Sequence, residues 1–92
     1  NYPYFSEEAA NFLVSKGIEL IGYDTPSPDN SLKNNEGIDS PIHKIFLKNN
    51  IILLEYIANL SKIKNVENWK IVVAPMKIEG SDGSPSRVFI YK

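Results

Sequence analysis

Ninety-two residues suffice for one small domain with a modest core, and 10 Lys and Arg against 11 Asp and Glu leave a net charge of -1, so there is no basic excess to neutralise a phosphate backbone or an anionic membrane. The absence of cysteine removes disulfides, thiolate nucleophiles and thiolate zinc sites, and fits a reducing compartment, with the cytoplasm as the expectation. The longest apolar runs, Ile51 to Leu54 and Ile71 to Pro75, fall far short of the ~20 residues that span a bilayer, and no basic-then-apolar signal pattern opens the chain; neither nucleic acid nor membrane is an expected partner.

The first residues, Asn1 followed by the apolar and aromatic Tyr2-Pro3-Tyr4-Phe5, read as a start in mid-protein, as in a fragment, a processed chain or a truncated gene product. Ser6 then caps a predicted helix over 7–16: Glu7 and Glu8 suit its positive end, Ala9, Ala10, Phe12 and Leu13 supply the apolar positions, and Lys16-Gly17 ends it. Ile18 to Gly22 has the length and apolarity of a strand, which places Tyr23 and Asp24 at the rim where strands hand over to loops. From Thr25 to Ser40 the composition turns to Pro, Ser, Asn, Asp and Gly without an apolar period. A connection of that length is expected to cover or line a site.

Ser40-Pro41 has the form of a helix cap with proline at the first helical position, and Ile42, Ile45 and Phe46 give an apolar face before Asn49-Asn50 stops it. Ile51 to Leu54 reads as a buried strand, and the spacing of Ile57, Leu60 and Ile63 predicts a helix over 56–63. Trp69 to Ile78 and Arg87 to Tyr91 read as strands joined by the turn-forming stretch Glu79 to Pro85. No internal repeat or domain boundary interrupts residues 1–92, so a single α/β domain is expected.

His43, the one histidine, precedes Glu55 by twelve positions. The short helix carries the chain ~8 to 10 Å away at 1.5 Å per residue and the strand brings it back ~13 Å at 3.3 Å per residue, so the two side chains are expected to share one end of the layer. Imidazole nitrogen and carboxylate oxygen are both ligands for Zn²⁺ or Mn²⁺, and Asp24 at another strand end is a candidate to join or orient them. Taken singly these residues also have plainer readings: a surface or capping histidine, a solvated glutamate after a strand, and an aspartate in a turn.

Five blocks shift that balance. Tyr2-Pro3-x-Phe5-Ser6-x-Glu8-Ala9-Ala10-x-x-Leu13, Gly17-Ile18-x-Leu20-Ile21-Gly22-x-Asp24-Thr25-Pro26-Ser27-x-Asp29, Pro41-Ile42-His43-Lys44-x-x-Leu47, Ile51-x-x-x-Glu55-x-x-x-Asn59-Leu60 and Ala74-Pro75-Met76-Lys77-Ile78-x-Gly80-x-Asp82-Gly83-Ser84-Pro85-x-Arg87 resemble, in order and spacing, the C-terminal half of cyclase-family metal-dependent hydrolases, the family that includes kynurenine formamidase. Lys44, Ile57 and Met76 depart from the arginine, leucine and leucine common there, which bears on substrate choice and not on the family.

The resemblance implies the C-terminal half of a swivelling β/β/α domain and metal-dependent hydrolysis of an amide or lactam, with arylformamidase activity in tryptophan catabolism as the best-known case. His43 and Glu55 match two of the family's metal-site residues, while Asp24, Ser27 and Asp29 match a stretch that supports the ligands from behind or lines the substrate loop. The remaining ligands and the proton-transferring histidine belong to a His-x-x-x-His-x-Asp-x-Pro-x-His block of the N-terminal half, which these residues do not contain, so no catalytic residue is assigned and little turnover is expected of them alone. The expected partners are a small-molecule amide substrate and either further copies of the chain or a complementing N-terminal chain. The competing expectation is a noncatalytic α/β interaction module, or an inactive remnant of such an enzyme.

Overall fold

The computed structural model describes residues 2–30 and 39–92, so residues 31–38 of the predicted loop lie outside the described residues. The chain divides into two compact units, Asn1–Leu60 and Ser61–Lys92.

The first unit opens with α1, Glu7–Ser15, whose cap is the predicted one: Ser6 Oγ accepts the Ala9 amide at 3.1 Å, and Gly17 takes the left-handed conformation (φ 75°) that closes the helix. Strand β1, Leu20–Gly22, pairs in parallel with β2, Ile52–Leu54, in the register Leu20↔Ile52, Ile21↔Leu53, Gly22↔Leu54. Between them stands α2, Pro41–Lys48. Ala10 of α1, Ile42 and Phe46 of α2 and Ile51 form the buried centre, with Phe5, Leu13, Ile18, Ile21 and Leu53 packed around it. Close packing extends to Gly22, where a Cβ would stand 2.8 Å from Ile57 Cδ1.

Two local expectations fail here. Ser40 occupies the N-cap of α2 but its side chain makes no capping bond. Asp29 does that work instead, its carboxylate accepting the amides of Ile42 (2.8 Å) and His43 (3.1 Å), so that a full negative charge sits at the positive end of the helix dipole. The helix predicted over 56–63 is also absent, reduced to a 3₁₀ turn at Leu60–Lys62. Tyr56 and Asn59 take positive φ (56° and 66°), which interrupts any helical run, while Tyr56 N–H donates to Thr25 O and Ile57 N–H to Tyr23 O, extending the β1–β2 pairing beyond the strand ends.

The second unit is an antiparallel ribbon of β3, Lys70–Pro75, and β4, Ser86–Tyr91, shorter at β3 than the predicted 69–78. Its register pairs Val72 with Phe89 on one face and Ile71 with Ile90 on the other. Alternation between faces therefore leaves apolar residues on both.

Candidate metal centre

The parallel register decides which side chains meet. Gly22 lies beside Leu54, so the next residues, Tyr23 and Glu55, emerge together at the C-terminal ends of their strands, the end of a parallel pair where ligands usually bind. Backbone bonds hold them there, from Tyr23 N–H to Leu54 O and from Ile57 N–H to Tyr23 O. The Tyr23 hydroxyl donates to Glu55 Oε1 at 3.0 Å.

His43 arrives from the first turn of α2. Its Nδ1 stands 2.7 Å from Asp29 Oδ2 and its Nε2 3.1 Å from Glu55 Oε1. The His43–Glu55 approach drawn from the helix-out, strand-back path is thus seen in the structure. Asp29 is buried, at 1 % exposure, whereas the side chains of His43 and Glu55 are 28 % and 38 % exposed, so the donors face outward from a fixed base. The stretch before Asp29 is tied to itself: Ser27 Oγ accepts the Asp29 amide, and Thr25 Oγ1 donates to Ser27 O. Of Asp24, Ser27 and Asp29, the three residues expected to support the ligands or line the substrate loop, Asp29 is the one bonded to the imidazole, while Asp24 is exposed. The sequence places Tyr23 at the rim, and the register of two short apolar strands puts it beside Glu55.

Proton counting shows what the arrangement can do. Asp29 already accepts two backbone amides, so it acts as an acceptor and His43 Nδ1 carries the proton between them. In a neutral imidazole Nε2 is then a bare lone pair, yet it faces Glu55 Oε1, which is itself an acceptor and already takes the Tyr23 hydroxyl. Tyr23 does not reverse that bond, because burial first, and then the charge of Glu55, the bond to it and the charge of Asp29, hold its phenol well above the ordinary tyrosine value. Two facing lone pairs are resolved by a proton on Nε2 or by a cation shared between nitrogen and oxygen. A carboxylate behind the opposite ring nitrogen is the usual support of a metal-binding histidine.

The donor set therefore fits a divalent cation as two ligands. Among the described residues no group of three or more His, Cys, Asp or Glu side chains is arranged to hold a metal ion. A cleft of about 440 Å³, lined by Asp29 but not by His43 or Glu55, opens between the first residues of α1 and of α2.

Residues 1–30 match the family model described as "Putative cyclase". The chain is 33% identical over 88 residues to the kynurenine formamidases of Bacillus cereus and Bacillus anthracis, covering 96% of this chain and 39% of each of theirs. In fold it is similar to a solved structure of a potential metal-dependent hydrolase with cyclase activity, at a TM-score of 0.72 and 26% identity over 97% of this chain and 41% of that one. The chain spans about two-fifths of the length of these relatives, and its α/β architecture is that of a cyclase-fold hydrolase over the matched part.

Proposed function

We propose, from this cyclase-family resemblance, that the chain is the C-terminal part of a metal-dependent amidohydrolase of the arylformamidase type, with His43 and Glu55 as two ligands of its Zn²⁺ or Mn²⁺. The observation that carries the reading is the 3.1 Å approach of His43 Nε2 to Glu55 Oε1 while Nδ1 is taken by Asp29. In this reading both units belong to one larger domain, completed by the N-terminal block of histidines and aspartate, in the same polypeptide or in another chain.

A metal bound there supplies a polarised carbonyl and a water of lowered pKa. This chain's residues prepare the place. Asp29 keeps the proton on Nδ1 and thereby leaves Nε2 free to coordinate, and Glu55 offers negative charge beside it. Tyr23 and the backbone bonds around it keep the carboxylate at the strand end. The substrate is a small amide or lactam, N-formylkynurenine being the first to test, and the setting is the cytoplasm; among the described residues no helix is long and apolar enough to cross a membrane.

His43→Ala and Glu55→Gln, made in the protein with every segment it carries, are expected each to lower bound metal and formamide hydrolysis by at least ~10-fold with an unchanged circular dichroism spectrum. Wild-type metal content in both variants would overturn the assignment. The ribbon, with Val72 and Phe89 exposed on one face and Ile71 and Ile90 on the other, favours a second reading as an interaction module. A complete protein that neither binds metal nor hydrolyses formamides, yet still associates, would support it.

A further inference from the structure

Glu55 closes a strand with its side chain 38 % exposed, and a glutamate so placed has rotamer freedom to lose before it can coordinate anything. The group that restrains it is buried. Tyr23 is 7 % exposed, its amide is bonded to Leu54 O and its carbonyl to the Ile57 amide, each within 3.1 Å. Its ring meets Phe5 edge-on at 6.1 Å, and Phe5 meets the fully buried Phe46 edge-on at 5.8 Å. The hydroxyl is therefore fixed by the core and not by the carboxylate that it serves.

We infer that Tyr23 is a positioning residue for metal binding, its hydroxyl setting the Glu55 carboxylate so that Oε1 turns a remaining lone pair toward His43 Nε2. The inference rests on the metal-site reading above and deepens it. A carboxylate oxygen has two lone-pair directions, and the Tyr23 hydroxyl occupies one of them at 3.0 Å. The other is left on the side where His43 Nε2 stands at 3.1 Å. The imidazole is held from behind by Asp29 and the carboxylate by Tyr23, so each donor has its own support from the core. Such supports typically change metal affinity by ~10 to 100-fold when removed.

The test uses Co²⁺ as the probe in the protein with every segment it carries, read by calorimetric titration and by the visible d–d absorption of the bound ion. Tyr23→Phe keeps the ring in place and removes only the hydroxyl. It is expected to weaken Co²⁺ binding ~10 to 100-fold and to shift the d–d band while leaving the melting temperature of the metal-free protein within a few degrees. Replacing Tyr23 by 4-aminophenylalanine, which returns a donor to the same ring position, is expected to recover most of the affinity. If His43→Ala abolishes Co²⁺ binding and Tyr23→Phe keeps wild-type affinity and spectrum, Tyr23 has no positioning role and the metal site stands. If His43→Ala too leaves Co²⁺ binding unchanged, the metal-site reading is wrong and this inference with it.

Discussion

Asp29 reaches the first turn of α2 from 13 positions upstream and accepts the amides of Ile42 and His43, two of the three that this helix start leaves without internal partners, since Pro41 has no N–H. Because that carboxylate is buried, its loss is not made good by water. Asp29→Asn, which replaces one acceptor by a donor aimed at an N–H, is expected to cost about 2 to 3 kcal/mol in urea denaturation, whereas Ser40→Ala at the nominal cap is expected to stay within about 0.5 kcal/mol. Equal effects of the two changes would show that the cap is local after all. Tyr23 gives the pH counterpart. Its folded-state value is raised above the ordinary 10.0, so on passing pH 10 the unfolded chain releases this proton and the folded one keeps it. The contribution is complete below pH 10 and falls as the pH climbs above it. Tyr23→Phe is expected to flatten the alkaline loss of stability between about pH 10 and 11, and an unchanged slope would show that burial and the neighbouring carboxylates do not raise this phenol.

At the scale of elements, what the sequence made legible was what local chemistry decides. The serine cap, acidic first turn and terminal glycine of α1 lie within twelve residues of one another, and the helix forms where they say. The proline start and asparagine stop of α2 are as clear, and so is the meeting of His43 and Glu55, since one helix and one strand fix the path between them. What was not legible depends on residues far apart in the chain. The apolar spacing after Glu55 favours a helix, but the chain exchanges it for a continuation of the strand pairing, in which the Thr25 and Tyr23 carbonyls accept the amides of Tyr56 and Ile57 while Tyr56 and Asn59 leave the helical region. The exchange puts Tyr56 at φ 56°, a conformation that a bulky side chain enters at a cost. Since Tyr56 is 71% exposed and its amide bond survives without the ring, Tyr56→Gly is expected to stabilise the fold by about 1 kcal/mol. A destabilised variant would mean that the exposed ring packs against something in the complete protein.

At the scale of the whole molecule, the two units differ in how much core they own. Residues Asn1–Leu60 gather the buried residues Ala10, Ile42, Phe46 and Ile51 around two helices and a strand pair. Residues Ser61–Lys92 have a two-stranded ribbon, and such a ribbon alone is marginal in water. Its side chains lean on one another, with Arg87 over Phe89 at 5.1 Å and Lys92 over Trp69 at 5.0 Å, which shields apolar area without burying it. Ile71, Val72, Phe89 and Ile90 remain between 38% and 49% exposed. A ribbon apolar on both faces is stabilised by gaining a neighbour, from another copy or from the remaining part of a larger domain. A polypeptide of residues 1–92 alone is accordingly expected to sediment as more than a monomer at tens of micromolar, and Phe89→Lys with Ile90→Lys to shift it toward monomer. Hydrogen exchange gives the sharper comparison: the amides of β3 and β4 are expected to exchange at least ~100-fold faster in the isolated monomeric variant than in the protein with every segment it carries, because their protection comes from what covers the ribbon. Equal protection in the two would mean that the ribbon is stable by itself, and the case for a covering neighbour would fall.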